Sequence, residues 1–274
     1  MSLFYINMEK TFDNLFLYYI IVLFAVIIYY ISNYSFEDNN PTCNNFVINI
    51  YLYLAISICI VGLFAYLINY ILFKKSSSYY KPLDSDFVIF NFLSVPFYYL
   101  SLLFSLIFVI LISISPNFES DNVLYNHILW LLFLFTISFN LYPVFKDIDT
   151  YKFIDQALII TSFIFVIMTG FYYLFSDFFD NNSNIIGMGL IISLVSIIII
   201  ELFNLLFGFL SLGSMRFISY FVIILFCIFI SYDTSEMIRK EKLCTSLPNY
   251  PKFSIDFFLD ILNIFKNALF LRSK

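Results

Sequence analysis

Charge is scarce in this sequence: Asp, Glu, Lys and Arg make up 12% of its 274 residues, against about a quarter in an average soluble domain. Beside that scarcity stand 62% hydrophobic residues and a mean hydropathy of +0.92, so the chain cannot hide its apolar surface from water. A soluble enzyme, a nucleic-acid-binding protein and a disordered chain are excluded as whole-chain readings. Basic residues are short even within this small charged set, with 14 Lys and Arg against 19 Asp and Glu. The resulting net charge of −5 speaks against phosphate binding, against a nucleic-acid partner and against a polybasic lipid anchor. A single histidine closes off zinc and haem ligation. The four cysteines (Cys43, Cys59, Cys227 and Cys244) form no CxxC and show no paired spacing. They read as buried inert thiols without a disulfide framework. No nucleophile–base pair, phosphate loop or ligand cluster is visible, so neither catalysis nor a cofactor is expected.

What the chain does have is long apolar runs. A helix needs about 20 apolar residues to cross a bilayer, and runs of that order fall near 15–33, 47–73, 87–115, 123–146, 157–175, 185–209 and 214–232. An eighth, 254–272, carries Asp256, Asp260 and Lys266. The links between them are too short for a soluble domain. Backbone groups left unpaired in lipid are costly, and no alternating barrel pattern appears, so the spans must be helical. The expectation is an all-α, polytopic membrane helix bundle of seven to eight segments forming one domain, with the lipid bilayer as its solvent. The N-terminal stretch, with Glu9, Lys10 and Asp13 before a long apolar run, does not read as a cleavable signal. The 38 Phe, 22 Tyr and many Ile and Asn residues fit an AT-rich genome, so aromatic richness marks no ligand site.

Lys and Arg in short loops set orientation. Link 74–86 has Lys74, Lys75 and Lys81, and link 146–156 has Lys146 and Lys152, while links 34–46, 116–122 and 176–184 have none. The alternation then breaks, because Arg239, Lys240, Lys242 and Lys252 fall on the other face if every segment crosses. His127 and Trp130 open the fourth run as interfacial anchors, and Pro96 and Pro143 lie within apolar runs as expected kinks. The sequons at 33–35 and 181–183 are expected by chance in so Asn-rich a chain.

Ionisable groups inside spans are the default functional candidates. Glu201, with Asn204 three residues on, lies late in 185–209 and reads either as an interfacial carboxylate or as part of an ion path. Asp233 closes the run FVIILFCIFISYD at the membrane edge. In the last segment Asp256, Asp260 and Asn263 are spaced i, i+4 and i+7, one polar stripe on an otherwise apolar helix. That stripe fits a surface-lying amphipathic helix as well as a central helix whose acids line a cavity.

The C-terminal stretch resembles the transmembrane Bax-inhibitor-motif family. The residues that carry the resemblance are the apolar run from Leu225-Phe226 to Tyr232-Asp233-Thr234, the charged Met237-Ile238-Arg239-Lys240, and the final helix Ile255-Asp256-Phe257-Phe258-Leu259-Asp260-Ile261-Leu262-Asn263-Ile264-Phe265-Lys266. A weaker likeness, in GMGLIISLVS from Gly187 and NLLFG from Asn204, extends it to residues 154–272. The chain departs from the family pattern in several places. Ser235 stands where a glutamine often follows Asp-Thr, Ser176–Asn184 is acidic rather than basic, and one hydrophobic segment, 15–33, is supernumerary.

The resemblance implies a non-enzymatic, pH-sensitive calcium leak channel or cation/proton exchanger of an internal membrane: endoplasmic reticulum, Golgi or mitochondrial inner membrane. It would act on calcium homeostasis and cell death. Asp233 and Asp260 would form a hydrogen-bonded dyad that senses protons and offers carboxylate oxygens to calcium, a hard cation. Asp256, Asn263, Glu201 and Asn204 are the secondary ion-path candidates. The competing expectations are a structural membrane subunit of a larger complex, such as a respiratory assembly, and a chain that only modulates membrane-protein partners.

Overall fold

The computed structural model describes residues 21–33, 35–37, 40–69, 100–117, 123–146, 153–245 and 247–273. Among these residues there are eight helices: α1 (Ile21–Asn33), α2 (Phe46–Asn69), α3 (Leu100–Ile114), α4 (Val123–Lys146), α5 (Ile154–Leu174), α6 (Ser176–Phe207), α7 (Leu212–Lys242) and α8 (Tyr250–Ser273). A two-residue antiparallel pair, β1 (Phe36–Glu37) with β2 (Asn40–Pro41), lies between α1 and α2. Helices α2, α4, α5, α6 and α7 are long and apolar enough to cross a membrane, so the all-α polytopic architecture stands. Pro96, the whole of link 74–86, and the first parts of the runs near 15–33 and 87–115 lie outside the described residues.

The chain divides into two compact units, Met1–Lys146 with Cys244–Ser254, and Asp147–Leu243 with Ile255–Lys274. In the first, α2 packs on α4 through Tyr53, Leu54 and Val61 against Trp130, Phe133 and Leu134, all buried. Polar groups in this apolar contact pair with one another, as burial requires. The Tyr53 hydroxyl meets His127 Nε2 at 2.8 Å, and Trp130 Nε1 donates to Ser57 Oγ at 3.1 Å. Trp130 is therefore packed between helices, not placed as an interfacial anchor. Pro143 sits within the continuous helix α4.

One end of this unit is tied together around Tyr250, which is fully buried and stacks on Tyr53 with ring centroids 5.6 Å apart. Its hydroxyl donates to the Thr42 carbonyl and accepts from Asn49 Nδ2 at 3.0 Å. Beside it, Asn249 Nδ2 donates to Ser115 Oγ at 3.1 Å and to the Pro116 carbonyl at 3.2 Å. Cys43 and Cys244 are joined by a disulfide at the same end. This corrects the reading of four inert thiols, which holds only for the free, half-buried Cys59 and Cys227. The partners are 201 residues apart, so no local spacing could reveal them.

In the second unit α6 and α7 pack along their length, with Leu190, Ile197, Val222, Leu225, Phe226 and Ile230 in the core beside Ile264 of α8. The outward faces of α5 and α6 are apolar, as lipid contact demands: Phe163 and Val166 are each 69% exposed and Ile192 68%. Two boundaries differ from the sequence reading. Helix α6 starts at Ser176 instead of 185, absorbing the expected link Ser176–Asn184, with Asp177 in its first turn where the helix dipole favours an acid. Helix α7 runs ten residues past Tyr232, with Arg239, Lys240 and Lys242 in its last turn, where the dipole favours bases. Gly208, at φ 61°, takes the left-handed conformation that ends α6.

Candidate functional site

Helix α7 is apolar from Phe221 to Ile230 and then turns polar with Ser231-Tyr232-Asp233-Thr234-Ser235-Glu236. Helix α8 brings Asp260 against this polar turn, so that the Asp233 and Asp260 carboxyl groups lie within electrostatic range of each other. Asp260 is 3% exposed, and its Oδ2 is buried without a hydrogen-bond partner. Asp233 is half-buried. Two carboxyl groups can hydrogen-bond only if one carries a proton, since a carboxylate accepts and never donates.

Asp256, one turn before Asp260, is exposed on the surface of α8 and repels the charged form of both pair members. On α7 itself, Lys240 attracts and Glu236 repels the Asp233 carboxylate. The sequence-derived pair thus meets, with Asp256 within electrostatic range.

The remaining candidates are engaged elsewhere. The Asn204 carbonyl and Oδ1 accept from the backbone N–H groups of Gly208 and Leu210, capping the end of α6. Asn263 Nδ2 donates to the Leu259 carbonyl of its own helix at 2.8 Å. Glu201 has Lys266 of α8 as its electrostatic neighbour. Among the described residues, no three His, Cys, Asp or Glu side chains come together as a metal-ligand group. Two carboxylates alone supply fewer than the 6–8 oxygens calcium takes.

Sequence reasoning missed a set of hydroxyl–carboxylate contacts on the other faces of the polar turn. Ser235 Oγ donates to Asp180 Oδ1 of α6 at 2.7 Å, and Tyr172 of α5 donates to the same oxygen at 3.4 Å. Ser183 Oγ of α6 donates to Glu236 Oε1 at 2.9 Å. Ser231 Oγ donates to the Met168 carbonyl of α5 at 2.8 Å. Tyr232 lies so close to Gly187 that a Cβ there would stand 2.7 Å from its hydroxyl oxygen. A sequence signal existed: Asp180, Ser183 and Gly187 are spaced i, i+3 and i+7, one helix face running through the supposed link.

Comparison with known proteins gives a family match over residues 43–272, described as Inhibitor of apoptosis-promoting Bax1. No curated protein matches the chain.

Proposed function

We propose that this chain, which belongs to the Bax-inhibitor family and is a multi-pass integral membrane protein, is a pH-sensitive calcium leak channel or cation/proton exchanger of an internal membrane. On this reading it acts on calcium homeostasis and cell death by moving ions, not by catalysing a reaction. The observation that supports it is the approach of the Asp233 and Asp260 carboxyl groups from α7 and α8, with Asp260 Oδ2 buried and unpartnered, which on this reading is a proton-sharing bond.

The mechanism follows from that bond. While the shared proton is present, the pair bridges α7 and α8 and the path is closed. Loss of the proton leaves two like charges in a medium of low dielectric, which repel each other and attract a divalent cation. The helices part, Asp256 gathers cations at the mouth, and calcium passes with partial hydration. Flux therefore rises as pH rises. In a Bax-inhibitor family member, this role for two buried acids accounts for their placement better than a structural-subunit role does.

The test is calcium entry into dye-loaded liposomes holding the purified protein, recorded from mildly acidic to mildly alkaline pH. Wild type should show flux increasing with pH, and Asp233→Asn and Asp260→Asn should each lose that dependence while remaining folded. Asp256→Asn should lower flux less and keep the pH response. A larger effect at Asp256 would mean that the gating pair is misassigned. Absence of flux from folded wild type at every pH would remove the channel reading.

A further inference from the structure

We propose that Asp180, through Ser235, locks the rotation of α7 so that Asp233 meets Asp260, making Asp180 and Ser235 positioning residues of the carboxyl pair. This rests on the gating reading above and adds the element that sets the pair's geometry.

The argument begins with helix periodicity. At about 100° per residue, Ser231 and Ser235 lie almost one above the other, and Asp233 projects from roughly the opposite side of α7. The two serines are the residues that α5 and α6 hold: Ser231 by the Met168 carbonyl and Ser235 by Asp180. Glu236, on the flank between them and Asp233, is held by Ser183. Tyr232 on the same flank packs against the bare backbone at Gly187. One face and one flank of this stretch of α7 are thus fixed to α5 and α6, leaving Asp233 aimed at α8. Side chains lie about 6 Å from a helix axis, so a rotation of about 20° would carry the Asp233 carboxyl some ~2 Å. That is enough to break a hydrogen bond of ordinary length.

Asp180 has the strongest claim within this set because it is a carboxylate accepting two hydroxyls, from Ser235 and Tyr172, and so binds α6 to both α7 and α5. The charged groups facing Asp233 itself are Asp260 and Asp256 from α8 and Glu236 and Lys240 from α7. Asp180 faces the serine side of α7 and Tyr172 of α5 faces Asp180. Asp180 therefore acts on the pair through the helix backbone.

The experiment reads geometry without relying on ion flux. In a Cys59→Ser/Cys227→Ser background, the double substitution Asp233→Cys/Asp260→Cys reports register by its rate of oxidant-driven cross-linking, followed by mass spectrometry of the joined peptides. Fast cross-linking is expected. Adding Asp180→Ala should slow it about fivefold, the factor that one hydrogen bond commands. Ser235→Ala should slow it as well, and adding it to Asp180→Ala should slow it no further, because the Ser235–Asp180 contact is then already gone. Asp180→Asn keeps an oxygen for Ser235 and should restore the rate. If Asp180→Ala does not yield folded protein, Ser235→Ala, which removes a single oxygen, decides. Equal rates in all backgrounds would overturn the lock. No cross-linking even with Asp180 present would remove the carboxyl contact and the gating reading with it. Rates that depend on Asp180 beside a wild type that conducts nothing would uphold the lock and remove only the channel.

Discussion

A glycine whose missing side chain is filled by a neighbour behaves differently from one facing open space, and α6 holds one of each. Nothing lies within 4 Å of a Cβ built on Gly189, whereas at Gly187 that atom would meet the Tyr232 hydroxyl oxygen at 2.7 Å and its ring carbon at 3.0 Å. Gly187→Ala should therefore destabilise the protein by about 1–3 kcal/mol, as overpacking does, and displace Tyr232. Gly189→Ala should be neutral or slightly stabilising, since alanine is the better helix former. Thermal unfolding in one detergent compares the two. Asp233 and Asp260 stood out at this scale because one closes an apolar run and the other interrupts one, but their pairing was read from the family resemblance and not from hydropathy. Asp180 and Ser183 did not stand out, because they lie in SDFFDNNSN among other polar letters. Hydropathy does not separate a polar residue in a link from one bonded to the polar face of another helix.

Elements were legible in number and approximate place, and their ends were not. Every apolar run with described residues contains a helix, but α6 and α7 extend well beyond the apolar stretches that announced them. The extensions carry their own stabilisation: the ion pair of Arg239 with Glu236 three residues back, bases in the last turn, and the buried Met237. Amides from Ser235 to Glu241 should consequently exchange with solvent as slowly as those of a packed helix, which hydrogen-exchange mass spectrometry would show. Met237→Pro should cost about 3 kcal/mol or more by removing a helix hydrogen bond in that segment, and it should be lost from the folded peak on gel filtration. If 233–242 were a link, both measurements would come out as for a surface loop.

Across the whole molecule, the Cys43–Cys244 disulfide bears on orientation. Disulfides persist on the oxidising side of a membrane, and the links 34–46 and 116–122 beside Cys43 and Asn249 carry no Lys or Arg, as short non-cytoplasmic loops should. Of the bases that broke the alternation, Arg239, Lys240 and Lys242 occupy the last turn of α7, where the helix dipole favours them, and Lys252 Nζ donates from α8 to the Ser113 and Ser115 carbonyls. After mild reduction, a membrane-impermeant maleimide should label Cys43 and Cys244 from the lumenal or external side and from that side alone. Labelling from the cytoplasmic side would reverse the orientation.

That cross-link also has a place in time. Cys43 emerges from the ribosome 201 residues ahead of Cys244, an interval of about 10–40 s at ordinary rates of synthesis. Throughout that interval its proper partner does not exist. The bond can close only after α2 through α7 have been made, so a protein truncated before residue 244 presents an open thiol that the finished one does not. The disulfide thus marks that synthesis has passed residue 244.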